Sequence, residues 1–458
     1  MSKQVCLQSF LRTLRTAKKG LRPHNLSPLL CQETLELISG SPPSISSFSS
    51  SSSLTAFLSE LDLPSLRRLL SDHYIPSSTC LNLFNFLLRS PPPSLSFQPD
   101  LRSHLILICR LLKATNFSEA VKLMKSVLVD QILAHPFPLI ADELWSCPAK
   151  PRTVAKFFNL MLQVYSENRL FGEALMAFDY MKGNGIEINE RTCTMHLLAL
   201  KRCGEVRMSV DFFDRMIESG VPISVYSLTA VVDGLCRSGE IKMGRELVEE
   251  MLSRGTVRPN VVTFNVLIAA CSKRWNFDEL ESVLRLMEEV AVGFNLKTYK
   301  FLIDGFTSSG KVGDAKRLLA EMHDKGLRVD AHLYNLIINA YSISGAAEST
   351  VSLFDEMTKR GVVKNPDTYW ALISGLCRAG KMGAVRGYMR EMQRKGFELE
   401  KVMLETVMEG FCRVGMVDSE FRWQRKGSVV LPSSVLKGRR GNCGNRVRKV
   451  RRKESAVG

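Results

Sequence analysis

A row of methionines at an almost fixed interval constrains this chain more than anything else in it. Met181, Met216, Met251, Met287, Met322, Met357 and Met392 stand 35 residues apart, with one step of 36. Four residues beyond each comes Gly185, Gly220, Gly255, Ala291, Gly326, Gly361 or Gly396. Two interlocked rows with one period mark a tandem array in which every unit is one supersecondary element. Starting each unit 26 residues before its methionine divides the array into 155–189, 190–224, 225–260, 261–295, 296–330, 331–365 and 366–400, with a partial unit at 401–423.

Inside a unit, positions 4, 7, 8 and 11 are apolar, as in Phe264, Leu267, Ile268 and Cys271, or Tyr334, Ile337, Ile338 and Tyr341. That i, i+3, i+4, i+7 spacing places them on one face of a helix. A second stripe runs through Val312, Ala315, Leu318, Leu319 and Met322. Gly204, Gly239, Gly310, Gly345, Gly380 and Gly415 sit between the stripes, where a turn is needed. The glycine after the methionine suits the positive φ that closes a helix. A single hairpin cannot bury its own seam, so neighbours must stack. The expected fold is therefore all-α, an α-solenoid superhelix of 35-residue helix–turn–helix repeats, with the methionine row as core packing. Aromatic content of 8% fits helices better than sheet.

The net charge of +16 invites a nucleic-acid reading, but its distribution weakens it. Lys3, Arg12, Arg15, Lys18, Lys19 and Arg22 precede the first acid, Glu33. Residues 421–458 carry twelve Lys/Arg against Glu454 alone, leaving the middle of the chain nearly neutral. Residues 1–59 are expected to hold a transit peptide and a Ser-rich disordered segment, because the start is amphipathic, Arg-bearing and acid-free. Mitochondrion is preferred, with chloroplast the alternative. Residues 60–154 are read as a degenerate helical region with one worn repeat at 101–135, whose second helix carries Ala120, Leu123 and Met124; Pro136, Pro138, Pro148 and Pro151 follow in a stretch read as non-repeat. Residues 424–458 are expected to be a basic disordered tail.

Twelve cysteines include no Cys-x-x-Cys pair, and Cys193, Cys236 and Cys271 fall inside apolar helical stretches, as buried thiols would. There is no P-loop, dinucleotide fingerprint, H-E-x-x-H or zinc deaminase signature. No enzyme activity, cofactor, metal site or small-molecule substrate is expected. No apolar run is long enough to span a membrane.

The segments NVVTFNVLIAACSKRWNFDELESVLRLMEEV (260–290), KTYKFLIDGFTSSGKVGDAKRLLAEMHDKGLRVD (297–330) and YSLTAVVDGLCRSGEIKMGRELVEEMLSRGTVRPN (226–260) resemble the pentatricopeptide repeat family of plants. The uniform period is similar to that of its P-type arrays. The resemblance implies a sequence-specific single-stranded RNA-binding protein of organelle RNA metabolism, acting in transcript processing, stabilisation, intron splicing or translation, alongside other RNA-processing proteins. The family's usual proline before the last residue is replaced by Ile188, Ile223, Phe294, Val329 and Leu399.

Such solenoids are known to read one base per repeat with two or three side chains. Position 5 lies about 100° around the helix from the buried aromatic at position 4 and so leaves the seam. The last residue of each unit stands just before the next first helix. In the family these two positions meet the base edge. Here the pairs are Asn159/Asn189, Thr194/Ser224, Thr229/Asn260, Asn265/Asn295, Lys300/Asp330, Asn335/Asn365 and Trp370/Glu400. By the resemblance Asn/Asn favours a pyrimidine and Thr/Asn adenine, while Lys300/Asp330 and Trp370/Glu400 depart from the pattern. A polar residue at a helix start is the competing reading of each closing asparagine. Position 13 forms a basic row, Arg202, Arg237, Lys273, Arg378 and Arg413, fit to follow phosphates or simply to complement a helix C-terminus. Position 2, apolar in the family, is so only at Tyr226 and Val262 among the seven full units. The alternative to RNA binding is a tetratricopeptide-like protein-interaction scaffold, whose period is about 34 and whose signature is missing.

Overall fold

The computed structural model describes residues 61–89, 97–130 and 135–415. The expected transit and Ser-rich segments, the end of the partial repeat and the basic tail lie outside the described residues. Every regular element among the described residues is helical. They form two compact units that divide between Pro222 and Ile223, two residues before the end of the second 35-residue repeat.

The first unit contains α1 (Leu63–Ser71), α2 (Ser77–Arg89), α3 (Leu101–Lys113), α4 (Phe117–Lys125), a π turn at Ser126–Asp130, α5 (Phe137–Trp145), α6 (Pro151–Glu167), α7 (Phe171–Gly183), α8 (Glu190–Cys203) and α9 (Val206–Glu218). Asp62, Asp100 and Asn116 open three of these helices by accepting backbone N–H groups that would otherwise lack partners. The worn repeat is a real hairpin, α3 and α4, with Ala120, Leu123 and Met124 buried. Its turn carries Thr115 at φ +60°, where the later repeats place glycine. The proline-bearing stretch contains α5 and the start of α6. Pro138 and Pro151 stand in the first turns of α5 and α6, where a missing N–H goes unnoticed. One apolar cluster runs from Leu61 through the worn repeat to Met181, so the degenerate region and the first full repeat share a core.

The second unit contains α10 (Val225–Ser238), α11 (Ile241–Ser253), α12 (Val261–Arg274), α13 (Phe277–Glu289), α14 (Leu296–Ser308), α15 (Val312–Asp324), α16 (Ala331–Ile343), α17 (Ala347–Lys359), α18 (Pro366–Arg378), α19 (Met382–Arg394) and α20 (Lys401–Arg413). Each first helix from α10 to α18 packs on its own second helix and on the next first helix, which is the solenoid arrangement. All seven methionines of the row have no exposed surface. The seven positions that follow them at four residues all take positive φ, Ala291 included at +56°. The turn row behaves alike, with Trp275 at φ +56° in place of glycine.

Successive first helices approach closely at small residues. A Cβ on Gly305 would lie 2.5 Å from Ser272 Cβ, and one on Gly375 would lie 2.7 Å from Ser342 Cβ. Buried tyrosines tie three of the first helices to a second helix. Tyr299 donates to Glu321 Oε1 at 2.8 Å and Tyr369 to Glu391 Oε1 at 2.7 Å, whereas Tyr334 pairs with His323 Nε2 at 2.8 Å. Cys193, Cys236 and Cys271 are buried thiols whose pKa burial pushes up to about 12, as packing residues rather than nucleophiles. No helix among the described residues is long and apolar enough to cross a membrane.

Candidate nucleic-acid interface

Positions 2, 5, 9 and 13 of each repeat fall along one face of the first helix, by the same helical spacing that buries positions 4, 8 and 11 on the other. Position 2 is exposed in every full repeat, at Lys156, Arg191, Tyr226, Val262, Lys297, His332 and Asp367. Tyr226 is 82% exposed and Val262 54%, and Val402 of the partial repeat is 60% exposed, so three apolar side chains stand uncovered at equivalent places in the second unit. Exposed apolar groups at a repeated position are what a planar base needs to stack against.

Position 5 and the closing residue are brought together. Asn265 Nδ2 donates to Asn295 Oδ1 at 3.2 Å, and Asn335 Nδ2 donates to Asn365 Oδ1 at 3.1 Å. Asn189 donates its backbone N–H to Asn159 Oδ1 at 2.8 Å. Each pair is 30 residues apart in sequence, so the contact is made by the hairpin and not by one helix. In the first unit Thr194 Oγ1 donates to Glu190 Oε1 at 2.7 Å. In the second unit Ser224 forms a capping box with Ser227. Thr229 Oγ1 donates to Val225 O at 2.6 Å and meets Thr263 Oγ1 at 2.8 Å.

The closing residues are helix N-caps as well. Asn189, Ser224, Asn260, Asn295, Asp330 and Asn365 each accept backbone N–H groups of the following first helix through the side chain, and Glu400 does not. Capping engages the side-chain oxygen only. The Nδ2 groups of Asn260, Asn295 and Asn365 make no hydrogen bond within the described residues. Position 5 is less open than its place beyond the seam suggests, since Asn265 is only 6% exposed. Lys300 is exposed, and Trp370 packs partly buried against the core of the second unit. The Trp370/Glu400 repeat therefore brings no amide to this face.

Arg202, Arg237, Lys273, Arg378 and Arg413 are all exposed in the last turn of a first helix. Both the phosphate-tracking and the helix-dipole reading fit that position. Arg237 also pairs with Asp233 at 3.1 Å, an exposed ion pair that water and salt weaken. Sequence reasoning missed position 3. Ser227, Thr263, Thr298 and Thr368 are buried there, and their hydroxyls bond to the reading pairs or to the caps. The signal was the threonine in the recurring Thr-Tyr and Thr-Phe openings.

Stacked two-helix hairpins repeating at 35 residues define a helical-repeat protein of the solenoid kind. Models of the PPR repeat match residues 157–186, 197–221, 297–327 and 367–397, and those of the PPR repeat family match 224–273, 259–308 and 329–378. The chain belongs to the pentatricopeptide repeat family. A pentatricopeptide repeat-containing protein of Arabidopsis thaliana is 35% identical over 139 residues, which are 30% of this chain and 22% of that protein. The maize pentatricopeptide repeat protein PPR10 is similar in structure, with a TM-score of 0.47 and 20% identity over 92% of this chain and 62% of that one. Yeast Rmd9p in complex with a 16-nt target RNA gives a TM-score of 0.39 and 12% identity over 93% of this chain and 98% of that one. The matches thus span about a fifth of the Arabidopsis relative and under two thirds of the maize chain.

Proposed function

We propose that this chain binds single-stranded RNA by sequence, one base per repeat, and acts in organelle RNA metabolism as a binding protein without catalysis of its own. The carrying observation is the recurrence of one amide–amide contact, position 5 to the closing residue, at Asn265/Asn295 and Asn335/Asn365, with Asn159 reaching the backbone N–H of Asn189 at the same place in the first repeat. Membership of the pentatricopeptide repeat family and the uniform P-type period support the same reading. The Asn265/Asn295 pair, held together in the same repeat as exposed Val262, offers hydrogen bonds to a base edge and a surface for its face. The basic row supplies the salt-dependent part of the affinity.

Residence in the mitochondrion belongs to the proposal and rests on the acid-free, Arg-bearing residues 1–32. RNA processing, stabilisation, splicing and translation are all served by a static groove that blocks nucleases or remodels a transcript, with other RNA-processing proteins as partners. The test is capture from a pool of single-stranded RNA at rising salt, together with crosslinking in isolated mitochondria and sequencing of the bound RNA. Salt-sensitive capture and one enriched transcript region are expected. Salt-resistant capture of a peptide, with no RNA retained at low salt, would point instead to a protein-interaction scaffold.

A further inference from the structure

Three repeats carry the same letters, Asn/Asn, at the reading positions, yet their amides are held differently. In the 261–295 repeat every orientation is forced in turn. Thr298 N–H, a backbone donor, lies 3.0 Å from the Asn295 side chain, so the atom facing it is Oδ1. The Asn265 atom 3.2 Å from that oxygen must then be Nδ2. This turns Asn265 Oδ1 onto Thr298 Oγ1, which donates its single proton there at 2.7 Å in preference to Asn295 Oδ1 at 3.1 Å. The ring closes when Asn295 N–H donates to Thr298 Oγ1 at 3.2 Å. Asn295 Oδ1 accepts twice and Asn265 Oδ1 once, so the orientation of both amides is fixed and their remaining N–H groups outnumber the one acceptor lone pair left on Asn265 Oδ1.

In the 331–365 repeat the same first two steps hold, through Thr368 N–H at 2.9 Å and Asn335 Nδ2 at 3.1 Å from Asn365 Oδ1. Thr368 Oγ1, however, donates to Asn365 Oδ1 at 2.8 Å, and Asn335 Oδ1 is left buried without a partner. In the 155–189 repeat, Asn159 donates through Nδ2 to Ala155 O and Glu187 O, both at 2.8 Å, and accepts from Asn189 N–H. Its amide is fully engaged with the backbone and has no donor left.

We propose that Thr298 is a positioning residue that locks the Asn265/Asn295 amides in one orientation, as a mainly hydrogen-bond-donating edge, so that the three Asn/Asn repeats discriminate among bases unequally. The order is Asn265/Asn295 first, Asn335/Asn365 second, and Asn159/Asn189 without discrimination by its fifth residue. A locked donor edge rewards a base that presents acceptors and rejects one that presents a donor in the same place, because an N–H facing an N–H loses its bond.

This inference rests on the RNA-binding reading, and the experiment separates the two. An RNA selected from a random pool is varied to all four bases at each nucleotide, and Kd is measured with the full chain. Register is assigned with one alanine variant per repeat. The spread of Kd across bases should reach about tenfold at the Asn265/Asn295 nucleotide, be smaller at Asn335/Asn365, and be nearly flat at Asn159/Asn189. Thr298→Val should flatten the spread at the Asn265/Asn295 nucleotide only, and Thr298→Ser, which keeps the hydroxyl, should retain it. Equal spreads at the three nucleotides, or a Thr298→Val effect shared by all nucleotides as a loss of fold would give, would overturn the lock while RNA reading stands. Absence of RNA binding by the wild-type chain would overturn both.

Discussion

At the residue scale, the array is set by positions where one atom more or less matters. Gly305 and Gly375 let consecutive first helices touch, and the touching atoms belong to Ser272 and Ser342. A methyl group on Gly375 would lie 2.3 Å from Ser342 Oγ and 3.0 Å from Ser342 Cα, so backbone must move as well as side chain. Gly375→Ala is expected to destabilise the second unit by about 1–3 kcal/mol, the usual range for overpacking. Gly313 lies in the first turn of α15 with nothing within 4 Å of its would-be Cβ. Gly313→Ala should stabilise by about 0.4–1 kcal/mol, through the entropy of the unfolded chain. Urea denaturation of the two variants measures both; a Gly375→Ala protein as stable as the wild type would mean the helices do not touch there. The methionine and glycine rows were readable in the sequence because packing and positive φ select residue types directly. The amide orientations were not readable, since they depend on which backbone N–H reaches each oxygen. Trp370 shows the same limit: its position is that of a reader, but its size finds the core of the second unit.

At the element scale, the hairpins are held by polar contacts threaded through apolar seams. His196 of α8 is buried against the rings of Phe171 and Phe212, and its Nδ1 pairs with Ser166 Oγ of α6 at 2.7 Å. Burial holds its imidazole down to about 4, below the ordinary value of 6.5. The unfolded chain therefore binds a proton that the folded unit refuses. The stability this group contributes is complete above pH 6.5 and is lost as pH falls from 6.5 to about 4. The thermal midpoint of the first unit should drop across that window, and His196→Leu should flatten the drop. His104, which burial shifts in the same direction, leaves a residual slope in both proteins. A variant with an unchanged slope would assign the pH dependence elsewhere. Helix existence within the repeats was legible from periodicity, whereas the bounds of α5 were not, because a stretch of four prolines outside the repeat has no period to place them. Two of them, Pro138 and Pro151, begin helices, which is the one place proline fits without loss.

At the scale of the whole molecule, the near-neutral middle of the chain means that the proposed RNA affinity of the repeats does not rest on their bulk charge. It must come from repeated local contacts, each modest, made by a stack whose period is set by core packing. The most direct measurement is a selection of bound sequences from a random single-stranded RNA pool, with the wild-type chain and with the Asn265→Ala, Asn295→Ala double variant. The expected result is loss of preference at one nucleotide, with binding to the best wild-type sequence weakened by about 1–3 kcal/mol, the size of a bidentate base contact. Preference lost evenly along the RNA, or left unchanged at every nucleotide, would contradict the reading of one base by one repeat.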